Sequence, residues 1–157
     1  MYRFWVFVHL VGVAGFLVTH GVSMWAMVAV RSVGGDRDRI LEWCETSKRA
    51  VMPMYVSFGL LLLGGVAAGI DGSLFADLWL LVSLLLLLVL TALMSLVATP
   101  HMKRLREGCT QWSDGSYTLD DDTLRTVLDG PATAITAASG GIGLLVILYL
   151  MVFKPGA

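Results

Sequence analysis

The feature that most constrains this chain is the stretch from Phe4 to Val30, FWVFVHLVGVAGFLVTHGVSMWAMVAV. Its 27 residues include no Asp, Glu, Lys or Arg. About 20 apolar residues suffice to cross the hydrocarbon core of a bilayer. In lipid such a segment must satisfy its own backbone polar groups, which a helix does. Two of the three histidines, His9 and His20, fall inside it. An ionisable side chain at that depth is costly unless it faces protein interior or a cavity. His9 and His20 are therefore the first candidates for function.

Three more stretches have the same character: Val51 to Ile70, Leu78 to Ala98 and Ala132 to Phe153. With 57% hydrophobic and 15% charged residues and a mean hydropathy of +0.78, the composition is that of an integral membrane protein. A net charge of −1 leaves no basic field of the kind that binds nucleic acid. The first stretch is longer than the apolar core of a signal peptide and ends in bulky Trp25 and Met27, so it is expected to be retained. The expected fold is all-α: an antiparallel bundle of four transmembrane helices, about 4–30, 51–70, 78–98 and 132–153, forming a single transmembrane domain. Connections 31–50 and 99–131 hold five and four Lys/Arg, the turn after Ile70 holds none, and each terminus holds one. By the positive-inside rule both connections face the cytoplasm and both termini face out. Cys44 and Cys109, with no metal-type spacing, then lie in the reducing compartment as free thiols. Impermeant thiol reagents added outside are expected not to label them.

Local signals refine this layout. Gly34-Gly35 breaks the first helix, and Asp36 or Asp38 can cap the next. Ile40, Leu41 and Cys44 recur near helical spacing, as in a short amphipathic lead-in. Pro53 is expected in the first turn of the second span, where its missing N–H costs little. Gly65 and Gly69 form a small-xxx-small packing pattern. Ser83, Thr91 and Ser95 mark an inward face on the leucine-rich third span, and Pro100 is expected to end it. Asp120, Asp121 and Asp122 lack the spaced ligands of a calcium loop and read as the capped start of a short helix ending at Gly130. The fourth span is small-residue in its first half, suited to close packing or to space for a flat ligand, and bulky in its second.

Eleven residues of α-helix turn about 1100°, some 20° past three full turns. His9 and His20 thus share one stripe, with Gly12 and Phe16 between them, about 16–17 Å apart along the axis. A neutral imidazole is a good axial ligand for haem iron, and helix bundles hold such cofactors among inward-facing side chains. Gly12 would leave room for a porphyrin edge. The plain alternative is that each histidine bonds a hydroxyl or carbonyl of a neighbouring helix. His101 sits where the third span leaves the membrane.

The opening YRFWVFVHLVGVAGFL resembles the first helix of the bacterial HemJ and copper-resistance-D families of small integral-membrane proteins. The similarity extends to Arg31 and to Ser47-Lys48-Arg49 before the second span, covering about the first 60 residues. It implies a bacterial cytoplasmic membrane, a haem-linked His9, haem b as cofactor and an assisting lysine such as Lys48. The end of the first helix lacks the aromatic-histidine pattern of HemJ. Haem or porphyrin binding, for redox chemistry or haem handling, leads the functional expectations. Second is a non-catalytic subunit packed against membrane-protein partners or a second copy. Third is copper handling through Met24, Met27, Met52, Met54 and Met94, since thioethers suit Cu(I). Adaptable apolar packing is the expected role of these methionines ahead of copper binding.

Overall fold

The computed structural model describes residues 1–156, with the backbone alone for 132, 133 and 137. Five helices follow in order: α1 (Tyr2–Ser32), α2 (Arg37–Asp71), α3 (Leu78–Cys109), α4 (Asp121–Asp129) and α5 (Ala132–Phe153). Helices α1, α2, α3 and α5 carry the four segments long and apolar enough to cross a membrane. The fold is the expected all-α, four-helix membrane bundle. The N-terminal ammonium lies 3.3 Å from Asp71, and the Lys154 ammonium lies 5.5 Å from the centre of the Trp79 ring. Both termini and the α2–α3 turn therefore share one end. In that turn Gly72 closes α2 by donating to the Ala68 carbonyl at 2.9 Å, and a single 3₁₀ turn, Leu74–Ala76, follows.

Two expectations about prolines are corrected. The amphipathic lead-in and the second span form one helix of 35 residues, and Pro53 lies inside it rather than in its first turn. Likewise α3 does not end at Pro100 but continues to Cys109. Each proline forfeits one backbone bond, yet both rings lie exposed on the outer side. What holds the helices past them is burial beyond the membrane. At 1.5 Å per residue α2 is about 52 Å long, against a hydrocarbon core of about 30 Å. The overhanging ends meet in a second core of Val30, Ile40, Cys44, Leu105, Cys109, Leu124 and Leu128. Side chains that the sequence assigned to connections thus form a small globular floor under the bundle.

Arg37 ties this floor together. Its guanidinium donates to the carbonyls of Gly108 at 3.1 Å and Leu119 at 2.9 Å, pairs with Asp121 at 2.6 Å and stacks 4.1 Å over the ring of Tyr117. Asp36 caps α2 through the Arg39 N–H, and Asp120 caps α4 through the Thr123 N–H at 2.7 Å. The bond to Thr123 also holds the Asp120 carboxyl below its ordinary pKa. Among the described residues no three His, Cys, Asp or Glu side chains converge as metal ligands, and the acidic run serves α4 as a cap.

Within the membrane the helices associate in pairs. α1 packs chiefly on α2, α3 packs chiefly on α5, and contact between the pairs is sparse. Glycine sets the first contact. A Cβ on Gly12 would fall on the backbone of Leu61, with Leu61 Cα at 2.7 Å. A Cβ on Gly64 would meet the backbone of His9, with His9 Cα at 2.8 Å. Backbones this close gain dispersion contacts along their whole length, the main attraction available between helices in lipid. Of the expected glycine pattern, Gly65 faces the His9 ring and Gly69 the ring of Phe75; it is Gly64, outside that pattern, that meets the α1 backbone. In the second pair Gly143 abuts Leu90. Ser83, Thr91 and Ser95 all bond carbonyls of their own helix, so none cross-links helices through those bonds.

Three outcomes follow from these contacts. Gly12→Leu or Gly64→Leu forces the α1–α2 backbones apart and is expected to lower the melting temperature in detergent, by a destabilisation of about 1–3 kcal/mol or more. Gly21→Ala, with open space around it, is expected to be neutral or slightly stabilising. Arg37→Ala takes its partner from the Leu119 carbonyl and leaves the Gly108 carbonyl only the long bond from the Leu119 N–H, at roughly 1–3 kcal/mol, and limited proteolysis should cut the segment 110–120 faster. The Asp120 cap works as a carboxylate. Because its folded pKa is depressed, its contribution is full above the ordinary value of 3.8 and is lost as pH falls through the lower folded value. Amide exchange in α4 should accelerate there.

Candidate functional site

Where the two helix pairs face each other they leave a cavity of about 290 Å³. That is the scale of a site for one small organic ligand, for which ~300–1,000 Å³ is usual. It runs from Phe16, His20, Phe58 and Leu87 in the membrane to Cys44, Lys48, Lys103 and Arg106 beside the floor. The walls are mostly apolar, and the charged side chains all stand at the floor end. Lys48 and Arg106 both lie near Glu45, at 3.6 and 3.8 Å, and Lys103 near Glu107 at 3.8 Å. Three cations thus share two carboxylates.

The structure separates the two histidines of the sequence stripe. His9 is half-buried and belongs to the α1–α2 contact. Its Nδ1 lies 2.8 Å from the Leu61 carbonyl, and since a carbonyl only accepts, Nδ1 carries the hydrogen. In a neutral ring with that hydrogen placed, Nε2 carries the lone pair. Gly12, which was expected to leave room for a porphyrin edge, is instead covered by the α2 backbone. His9 follows the expected bonding to a neighbouring helix.

His20 lies on the wall of the cavity, with Phe16 beside it. The two rings stack at a centroid distance of 5.3 Å and an interplanar angle of 11°, which fixes the plane of the imidazole. Its Nε2 is buried and, among the described residues, has no hydrogen-bond partner, and the same holds for the Ser23 hydroxyl on the same wall. A buried, unsatisfied polar atom costs about 1–3 kcal/mol, so one aimed into a cavity marks a place where a ligand atom restores the loss. Across the cavity Gly140 of α5 completes the arrangement. The point its Cβ would occupy lies 3.5 Å from His20 Nε2 and 3.9 Å from Met24 Sδ, and it falls against the Met94 methyl. Any side chain at 140 would fill the space between these donors.

Five of the eight methionines in the chain line the cavity: Met24, Met27, Met54, Met94 and Met102. Met52, expected with them, is 72% exposed on the outer side, and Met102 takes its place because α3 continues through Pro100. Cys44 and Cys109 are 3% and 1% exposed, buried in the floor. Their failure to react with an external reagent would therefore report burial as well as sidedness. His101 is half-buried at the end of the span and does not line the cavity.

No family model, curated protein or solved structure matches the chain. Fold and site together define the class: a multi-pass α-helical membrane protein with an internal cavity between two helix pairs.

Ser113, exposed in the loop between α3 and α4, is the better reporter of orientation. In a chain with both thiols changed to serine, Ser113→Cys is expected to resist an impermeant maleimide on intact cells and to label after permeabilisation. Labelling without permeabilisation would place both termini inside.

Proposed function

We propose that this protein binds haem or a porphyrin in the cavity between the helix pairs, with His20 Nε2 as the iron ligand. The observation that carries the reading is the unpartnered Nε2 of His20 buried on the wall of an apolar cavity. Haem combines a flat apolar ring, an iron that takes imidazole nitrogen and carboxylate groups. The cavity answers each in turn, with apolar walls, His20 in the membrane, and Lys48, Lys103 and Arg106 at the floor end. When bound, haem supplies one-electron chemistry; the chain supplies the nitrogen, the apolar walls and cations for the carboxylates. The resemblance of the first helix to HemJ and copper-resistance-D proteins supports the same ligand class and points to His9. The fixed Nδ1–H of His9 has the form of an outer hydrogen bond that orients a ligating imidazole. Haem handling in a bacterial cytoplasmic membrane, with the basic floor inside, is the setting proposed.

A second reading has its own observation. The Met24 sulfur and the Met94 methyl lie about the same point beside Gly140 as His20 Nε2, and an imidazole–thioether donor set suits Cu(I). A role as a subunit packed on partner proteins rests on exposed apolar faces, which lipid covers equally well.

Absorption spectra of protein purified from haem-replete cells, oxidised and dithionite-reduced, test the first reading. A Soret band with α and β bands is expected, lost in His20→Ala and retained in His9→Ala when both variants keep their melting temperature. Loss in His9→Ala alone would move the iron to His9. A colourless protein that takes up one Cu(I) in competition with a chelator would favour the second reading.

A further inference from the structure

Resting on the haem reading, we infer that Met94 supplies the second axial ligand, from the opposite side of the cavity to His20. The argument is one of placement. Two axial ligands must reach the iron from opposite faces of a flat ring, so they cannot both come from adjacent turns of one helix. Met24 is four residues from His20 on α1 and therefore lies on the same side. Met94 is on α3, which belongs to the other helix pair, and α1 and α3 make almost no direct contact. His20 and Met94 both line the cavity that this separation leaves.

The gap between them is kept by Gly140. The Met94 methyl occupies the space that a Cβ at 140 would take, with His20 Nε2 3.5 Å from the same point. The thioether has three rotatable bonds and little steric demand, which lets it swing toward an iron entering the gap. Of the other cavity methionines, Met27 and Met102 lie toward Cys44 and the basic rim by their places on α1 and α3, while Met54 stands level with His20 but on α2, the helix packed directly against α1, and so on the His20 side of the cavity. Ser23, whose hydroxyl is also unpartnered, is on α1 and too weak a donor to compete with sulfur.

Histidine–methionine ligation has a readable signature: a low-spin six-coordinate iron, a sulfur-to-iron charge-transfer band in the red and a raised reduction potential. The test compares ferric absorption and electron paramagnetic resonance spectra, haem content and midpoint potential in wild type, Met94→Leu, Met94→His and Met24→Leu. Met94→Leu is expected to keep its haem but lose the red band, turn high-spin and fall in potential. Met94→His should restore a low-spin iron without the red band, and Met24→Leu should retain the red band. A Met94→Leu protein with an unchanged low-spin spectrum, or loss of the band in Met24→Leu instead, overturns the assignment of Met94 while leaving haem binding intact. A colourless wild type overturns the haem reading and this assignment with it.

Discussion

The rest of the structure depends on the contact between α1 and α2. In lipid there is no gain from hiding apolar surface between helices, because the tails are as apolar as the side chains. Association must come from close approach, and Gly12 and Gly64 allow it by letting backbone meet backbone. The bond from His9 to the Leu61 carbonyl fixes the pair in register, since sliding either helix by a residue would bury an unsatisfied imidazole. Because α1 spends its contact surface on α2 and α3 on α5, the two pairs meet loosely. The cavity is what remains between them.

A loose meeting in the membrane needs a tie elsewhere, and the floor beyond the bilayer provides it. There water is available and the hydrophobic effect operates normally. Leu105 and Leu124 are wholly buried against Ile40 and Val30, so α1, α2, α3 and α4 converge on one small core. Arg37 adds bonds to the end of α3, to the following loop and to α4. Helix separation is thus set by contacts at the floor, while the space above stays open.

This division of labour also sorts the polar groups. Most membrane hydroxyls return to carbonyls of their own helices, and His9 is absorbed by the α1–α2 contact. His20 Nε2 and the Ser23 hydroxyl, left without partners, both lie on the cavity wall. Two unsatisfied atoms on one open wall carry functional weight because a single ligand can reach both; the third such atom among the described residues, Trp79 Nε1, lies away from the cavity.

Long apolar runs alone determined that this is a four-helix membrane protein, since a bilayer accepts few other solutions. Charge-poor length also isolated His9, His20, Gly12 and Phe16 as one stripe, because helical periodicity is a local property. The sequence misled at Pro53 and Pro100. A proline is a local penalty, and burial of Ile40, Cys44, Leu105 and Cys109 beyond the membrane outweighs it. Only the tertiary structure decided that His9 faces α2 and His20 faces a cavity, for a stripe on one helix does not say which neighbour each turn will meet. Met94 stood in the sequence only as one of several methionines suited to Cu(I), and Gly140 only as part of a small-residue run. They became part of the site when α5 and α3 brought them to the point where His20 ends.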